Sequence, residues 1–149
     1  MLRFQNYDIV FQEVPGEVSL AINISNCPNR CPGCHSKQLW DNTGSYLNID
    51  SLDHLIRSCS GITCVSFMGG DSEVNELRRL FKHVKDKGLK TCWYSGRETC
   101  PIETDYLDYL KLGSYIKKLG GLDSPDTNQR FYQVSKENGL IDMTFLFQR

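Results

Sequence analysis

Apolar residues alternate with small or polar residues along residues 17–25. A two-residue period of this kind is typical of a β-strand with one buried face. The opposite face carries only small or polar side chains, which suits a position near a binding site. The apolar face consists of Val18, Leu20, Ile22 and Ile24.

Strand and helix patterns follow one another along the rest of the chain. Helices are expected where apolar residues recur at every third or fourth position between a capping residue and a glycine. The predicted helices are residues 50–60, capped by Asp50 or Ser51, a helix that starts at Asp71 or Ser72 and stops at Gly88, and residues 103–110. The predicted strands are residues 7–11, 17–25, 62–67, 89–95, 112–116, 130–134 and 142–147.

This order of elements predicts one α/β domain over residues 1–149, with a mainly parallel sheet. A closed eightfold barrel typically needs about 250 residues. We therefore expect an open partial (β/α) barrel. In such folds the residues that carry the chemistry lie at the carboxyl ends of the strands.

Charge and hydropathy exclude several classes of protein. The net charge is −1 and the pI is about 6.3, which argues against a general nucleic-acid binder with its basic excess. No apolar run approaches the ~20 residues that cross a membrane, and the first residues lack the apolar region of a signal peptide. The sequence therefore predicts a cytoplasmic protein that binds neither nucleic acid nor membranes.

Cysteine is unusually frequent, with seven residues in the chain. In a reducing compartment these thiols are not expected to form disulfides. Cys27, Cys31 and Cys34 follow the first clear strand in the spacing C-x3-C-x2-C, so their thiolates can converge on one metal centre. A 4Fe–4S cluster takes four cysteine ligands when it is saturated. Three ligands leave one iron open, and an open position suits catalysis.

Two other interpretations of this cysteine segment are open. A structural zinc site would use the three cysteines and His35, although zinc ligands usually come as two separated pairs. Simple burial of the three thiols is the second, although the prolines around them make a poor core. Cys59, Cys64 and Cys92 are expected to pack in the core as small apolar side chains. Cys100 is expected to lie in a loop.

The cysteine segment resembles the signature of the radical S-adenosylmethionine enzymes. The run Cys-Pro-Gly-Cys-His, which ends at His35, is similar in particular to the activating protein of the anaerobic (class III) ribonucleoside-triphosphate reductase. The resemblance implies a partial barrel of the radical S-adenosylmethionine type, with Cys27, Cys31 and Cys34 as the ligands of a 4Fe–4S cluster. Many members of that superfamily have an aromatic residue where this chain has Gly33. We therefore expect backbone contacts to the ligand around Gly33, Cys34 and His35.

Three later segments carry the same resemblance. Gly69, Gly70 and Asp71 resemble the Gly-Gly-Glu/Asp motif that contacts the amine of the methionine moiety. The alternative for them is a tight turn in which Asp71 caps a helix. Ser95 precedes a glycine at a predicted strand end and is expected to hydrogen-bond the ligand. Asn128 begins an Asn-Gln-Arg run like that of the reductase activators, which implies contact with the ligand or the partner.

The resemblance also implies a reaction and its partners. S-adenosylmethionine would chelate the open iron through its amino and carboxylate groups. One electron from a small donor such as flavodoxin would break a carbon–sulfur bond, which yields methionine and a 5′-deoxyadenosyl radical. That radical would remove a hydrogen atom from a glycine of the reductase. The alternatives are activation of another glycyl-radical enzyme of the formate-lyase type, small-molecule chemistry of the deazapurine ring-contraction kind, and a non-catalytic iron–sulfur or zinc-binding module.

Overall fold

The structure is a computed structural model that describes residues 1–28, 39 and 41–148 of the chain. Within these ranges the chain forms eight strands, two α-helices and a short 3₁₀ helix. The strands are β1 (Arg3–Val10), β2 (Ser19–Ile24), β3 (Ser45–Tyr46), β4 (Cys64–Met68), β5 (Lys90–Tyr94), β6 (Tyr109–Leu112), β7 (Arg130–Ser135) and β8 (Gly139–Asp142). The helices are α1 (Ile49–Ser58), α2 (Val74–Asp86) and the 3₁₀ helix Thr144–Phe147.

All eight strands belong to one sheet in the order β3-β1-β2-β4-β5-β6-β7-β8. The central strands β2, β4, β5 and β6 pair in parallel. Antiparallel strands extend the sheet on both sides, with β1 and β3 on one side and β7 and β8 on the other. The carboxyl ends of the four parallel strands therefore lie along one edge, which is where ligands bind in open parallel sheets.

The prediction of an open partial (β/α) barrel with mainly parallel strands is wrong. Three strand pairings are parallel and four are antiparallel, and only two α-helices occur in the part of the chain that the structure describes. The predicted helix at residues 103–110 is a series of turns and bends that leads into β6. Leu107 and Leu110 are both buried there. Their three-residue spacing suggested a helix, but it also fits a turn followed by a strand.

The end of the chain also differs from the prediction. The strand expected at residues 142–147 is the last residue of β8 followed by the 3₁₀ helix Thr144–Phe147. This helix folds back onto the sheet, with the ring centroids of Phe131 and Phe147 4.9 Å apart. The strand expected at residues 112–116 ends at Leu112, because Gly113 turns the backbone into the left-handed region at φ 109°.

One face of the sheet is covered by α1 and α2, and we call it the helix face. Its core contains Leu20, Ile22 and Ile24 of β2, which confirms the strand predicted from the two-residue period. The ring of Phe81 on α2 lies between those of Phe67 and Trp93, at centroid distances of 5.2 and 5.8 Å. Burial of one such large apolar side chain contributes about 1.5–3 kcal/mol. Most of the buried apolar side chains lie on this face, so it holds the principal core.

The opposite side of the sheet, which we call the second face, is covered by the described residues over only part of its area. A smaller core of Val14, Cys64, Cys92 and Phe131 covers its amino half. The prediction that Cys59, Cys64 and Cys92 pack in the core is confirmed, since all three are buried. Within the described ranges the longest α-helix has 13 residues, and no helix there is long and apolar enough to span a bilayer.

Candidate functional site

Cys27 lies at the carboxyl edge of the sheet, three residues after the end of β2. The backbone turns out of the strand at Asn26, whose φ of 60° is a left-handed conformation that asparagine tolerates. The loop is then fixed by two backbone hydrogen bonds, from Asn26 N to Asp41 O at 3.0 Å and from Cys27 N to Leu39 O at 2.9 Å. The side chain of Cys27 is half-buried. The first predicted cluster ligand therefore lies where the sheet topology places ligands.

The other residues predicted around the cluster are Cys31, Gly33, Cys34 and His35, and they lie outside the described residues. Among the residues that are described, no group of three or more histidine, cysteine or acidic side chains could hold a metal ion. The spacing of Cys27, Cys31 and Cys34 is what predicts such a centre in the cysteine segment.

The buried cysteines are poor candidates for additional ligands, because a cluster binds thiolates. Burial raises the pKa of the Cys64 thiol to about 12. Burial also raises the pKa of Cys92 well above its ordinary value. Both thiols are therefore neutral and belong to the core of the second face. Burial raises the pKa of Cys100 as well, and its thiol donates to the Ile102 carbonyl at 3.1 Å.

Gly69 and Gly70 form a tight turn at the end of β4, with φ values of 111° and 89°. A Cβ atom on Gly70 would come within 2.7 Å of Leu77 Cδ1, so the turn packs closely against α2. The backbone of Gly69 is engaged within the protein. Its N–H donates to Tyr94 O at 3.0 Å, and its carbonyl accepts from Trp93 Nε1 at 2.8 Å. The carbonyl of Gly70 is engaged as well, since it accepts from Glu73 N at 3.0 Å. The ligand contact predicted for this pair stays a prediction.

Asp71 joins the turns that follow β4 and β5. Its side chain is 2% exposed and accepts hydrogen bonds from Ser95 Oγ at 2.6 Å and from Gly96 N at 2.9 Å. The prediction that Asp71 or Ser72 caps α2 is wrong, since Glu73 occupies the N-cap position. Asp71 therefore holds the ends of β4 and β5 together. The hydroxyl of Ser95 donates to that carboxylate, so the ligand hydrogen bond predicted for Ser95 stays a prediction.

The cap of α1 also lies earlier than predicted. Asn48, rather than Asp50 or Ser51, is the N-cap, and its Oδ1 accepts from Ser51 N at 3.0 Å. Ser51 Oγ accepts in return from Asn48 N at 2.9 Å. This reciprocal pair is a capping box, and it fixes the start of α1.

Two cations lie at the carboxyl edge that sequence reasoning did not single out. Arg97 follows β5, and its Nη2 donates to Asp71 O at 2.8 Å while its side chain remains 44% exposed. Lys111 lies within β6 and is 9% exposed. Its Nζ donates to Gly113 O at 2.7 Å and to Ser95 O at 3.3 Å. A lysine inside an apolar strand is the signal in the sequence that points to this residue.

Asn128 closes the site on the side of β7. Its Nδ2 donates to Ser114 O at 3.1 Å, while its Oδ1 is buried and has no hydrogen-bond partner among the residues that the structure describes. A buried acceptor without a donor is costly, so this atom suits a ligand with an N–H or O–H group. Arg130 lies apart from the site, with Nη1 3.7 Å from Asp142 Oδ2 in an exposed ion pair.

The donor set and its surroundings fit an iron–sulfur cluster. Cys27 lies at the carboxyl edge, and Cys31 and Cys34 follow it at short spacing in the sequence. The buried cysteines pack in the core, and Asn128 Oδ1 has no hydrogen-bond partner in the part of the chain that the structure describes.

Comparison with known families agrees with this interpretation. Residues 14–115 match the family model of the 4Fe-4S single cluster domain. This span covers more than half of the chain and contains the cysteine segment and the four parallel strands. No curated protein and no solved structure matches the chain. The chain belongs to the 4Fe-4S single cluster domain family and is an iron–sulfur protein.

Proposed function

We propose that this protein is a radical S-adenosylmethionine activase that generates a glycyl radical on the anaerobic ribonucleoside-triphosphate reductase. The observation that carries the proposal is the cysteine segment, C-x3-C-x2-C, which leaves the carboxyl edge of the sheet at Cys27. In a family with a single 4Fe–4S cluster, three ligands leave one iron open. An open iron binds a substrate, whereas a saturated cluster only transfers electrons.

The other described cysteines support a count of three ligands. Cys64 and Cys92 are buried in the core of the second face, and burial raises the pKa of both thiols. Cys59 is buried at the end of α1. Cys100 lies in the loop after β5, with its thiol bonded to a backbone carbonyl. Recruitment of any of them as a fourth ligand would require rearrangement of the core or of that loop.

The protein's own residues would bind and orient the ligand. The cluster would supply the electron that cleaves the carbon–sulfur bond of S-adenosylmethionine. Asp71 holds the ends of β4 and β5 together through Ser95 and Gly96. Asn128 offers a buried acceptor to a ligand donor. In this proposal the strand ends would surround the bound molecule and restrain a reactive species.

The proposed partners follow from the same resemblance. Among the described residues, the carboxyl half of the second face carries partly exposed side chains, and a glycine-bearing segment of the reductase is proposed to approach there. A small donor such as flavodoxin would deliver the electron. The proposed compartment is the cytoplasm, where thiols stay reduced.

The experiment that tests this proposal is electron paramagnetic resonance of a mixture. The reconstituted protein, S-adenosylmethionine, a reductant and the anaerobic reductase are combined without oxygen, and the doublet of a glycyl radical is expected. Cys34→Ala should abolish the signal, while Cys100→Ala, the matched control, should keep it. A signal that persists in Cys34→Ala would show that the ligand assignment is wrong.

Other partners and classes are separate outcomes of this experiment. A radical on a formate-lyase type enzyme, but not on the reductase, would change the proposed partner and keep the chemistry. Bound iron and sulfide without any radical or 5′-deoxyadenosine would indicate a non-catalytic electron-transfer module. Zinc without iron would contradict the whole proposal.

A further inference from the structure

Arg97 lies at the carboxyl edge, in the loop that follows β5, and its backbone is fixed by two hydrogen bonds. Its N–H donates to Ser95 Oγ at 3.1 Å. Its carbonyl accepts from Gly113 N at 2.7 Å, and Gly113 directly follows β6. The loop after β5 is therefore tied to the end of β6, and the backbone of Arg97 has a defined position at the edge from which the segment with Cys27 leaves.

The side chain of Arg97 is held by the loop that follows β4. Its Nη2 donates to the backbone carbonyl of Asp71 at 2.8 Å, and 44% of the side chain remains exposed. By contrast, the guanidinium nitrogens of Arg78 and Arg130 lie 3.7–3.9 Å from exposed carboxylates. The guanidinium of Arg97 is thus ordered before any ligand binds, which lowers the cost of recognition.

Arg97 is paired with Asp71, but this pair leaves donors of the guanidinium available. The Asp71 carboxylate accepts from Ser95 Oγ at 2.6 Å and from Gly96 N at 2.9 Å. Arg97 Nε lies 3.7 Å from Asp71 Oδ1, which is an ion pair and too long for a hydrogen bond. Within the described ranges, Arg97 Nη1 has no hydrogen-bond partner. Arg97 therefore compensates the charge of Asp71 without giving that carboxylate the two parallel hydrogen bonds typical of an arginine.

A second carboxylate fits the donors that remain on Arg97. The guanidinium is a planar group with five N–H donors, and its geometry matches the two oxygens of a carboxylate. Charge-assisted hydrogen bonds of this kind depend on geometry as well as charge, so the contact does not need an uncompensated cation. The carboxyl edge of an open parallel sheet is also where a ligand is expected to bind.

We propose that Arg97 binds the carboxylate of an amino-acid ligand at the carboxyl edge. This inference rests on the proposed function, under which the carboxylate is that of the methionine moiety of S-adenosylmethionine. A carboxylate has two oxygens, so it can accept hydrogen bonds from Arg97 and still bind the open iron. Arg97 is then a specificity residue that selects ligands with an intact carboxylate, and Asp71 is the positioning residue that restrains its guanidinium.

Equilibrium binding to the reconstituted protein tests this proposal. The probes are S-adenosylmethionine and decarboxylated S-adenosylmethionine, which keeps the amino group and the sulfonium and lacks only the carboxylate. Arg97→Gln removes the charge and the fork of donors, whereas Arg97→Lys keeps the charge and loses the fork. Arg79→Gln, at an exposed position, is the matched control. The iron content of every variant is measured first, because loss of the cluster would lower both affinities.

Arg97→Gln is expected to weaken binding of S-adenosylmethionine on the order of 10- to 100-fold and to leave binding of the decarboxylated probe unchanged. The affinity of Arg97→Lys should lie between those of wild type and Arg97→Gln, and Arg79→Gln should match wild type. Equal losses for both probes, or an unchanged affinity for S-adenosylmethionine, would overturn the role of Arg97.

An unchanged affinity overturns this role even if radical transfer to the reductase falls, because the anion that Arg97 binds would then belong to the partner. If Arg97→Gln does not fold, Arg97→Lys decides instead. A loss confined to S-adenosylmethionine in that variant supports the role, and equal losses or none overturn it. A wild-type protein that binds no S-adenosylmethionine would contradict the proposed function itself.

Discussion

Two polar clusters lie at opposite ends of the same parallel strands, and they satisfy their charges differently. At the amino end, Glu17 Oε2 accepts from Lys90 Nζ and from Tyr109 Oη, both at 2.9 Å. Its Oε1 accepts from Thr63 Oγ1 at 2.8 Å. Anion and cation thus compensate each other within the protein, and the cluster joins β2, β4, β5 and β6.

At the carboxyl end the charged side chains also bond to backbone atoms, and Arg97 Nε lies 3.7 Å from Asp71 Oδ1. Lys111 is bonded to backbone carbonyls, and Asn128 keeps a buried acceptor without a partner among the described residues. Under the proposed function we expect the amino end to serve stability and the carboxyl end to serve binding. Open parallel sheets divide these tasks in the same way.

The largest effect is expected from loss of a cluster ligand. Cys27→Ala removes a thiolate at the carboxyl edge, so the reconstituted protein should lose its 4Fe–4S absorbance and most of its iron and sulfide. Cys64→Ala, in the core of the second face, should keep the wild-type iron content and lose only stability. The assignment of the cluster to the carboxyl edge fails if Cys27→Ala keeps the full iron content and Cys64→Ala loses it.

A smaller effect is expected from the carboxylate that joins two strand ends. Asp71→Asn replaces one carboxylate oxygen, which accepts a hydrogen bond, with an NH2 group, which donates. One of the two donors that face it, Ser95 Oγ or Gly96 N, then loses its acceptor. The rate of S-adenosylmethionine cleavage should fall on the order of 10- to 100-fold with the iron content unchanged. Ser72→Ala, at the exposed neighbouring position, is the control. An unchanged cleavage rate in Asp71→Asn would mean that the site does not depend on this junction.

The smallest effect is expected at the amino end, and it concerns stability alone. Burial by itself raises the pKa of Glu17, but hydrogen bonds from Lys90, Thr63 and Tyr109 outweigh it and hold the pKa below its ordinary value of 4.5. Glu17→Gln should lower the free energy of unfolding by about 2 kcal/mol at neutral pH. It should leave the ligand affinity unchanged.

The pH dependence of that difference has a definite sign. A carboxyl whose pKa is lower in the folded protein adds stability above its unfolded pKa, and this stability is lost as the pH falls through the folded value. The gap between wild type and Glu17→Gln should therefore be constant from neutral pH down to about 4.5 and shrink below it. Denaturant titrations at several pH values measure the gap, with Glu137→Gln as an exposed control. A gap that widens in acid would contradict the assignment.

Local patterns predicted the parts of the fold that depend on neighbours in the sequence. The alternation in residues 17–25 identifies β2, because one-sided burial imposes a period of two. The same reasoning failed at residues 103–110, where Leu107 and Leu110 reach the core from a turn and a strand. The partial barrel depended on that helix and on parallel pairing, neither of which a local pattern determines.

The candidate site shows the same limit. The strand predicted at residues 17–25 already places Cys27 at a strand end, and the cysteine spacing predicts the cluster without knowledge of the fold. The role of Asp71 was not predictable, because its main donor, Ser95 Oγ, is 24 residues away in the sequence. Lys111 was missed since its register with Tyr94 exists only after β5 and β6 pair.

Production of 5′-deoxyadenosine tests the central claim most directly. The anaerobically reconstituted protein, with its iron content measured, is reduced in the presence of S-adenosylmethionine, and the products are separated by chromatography. We expect methionine and 5′-deoxyadenosine in equal amounts, and none from Cys34→Ala. A fully iron-loaded, reduced protein that yields no 5′-deoxyadenosine would contradict the account.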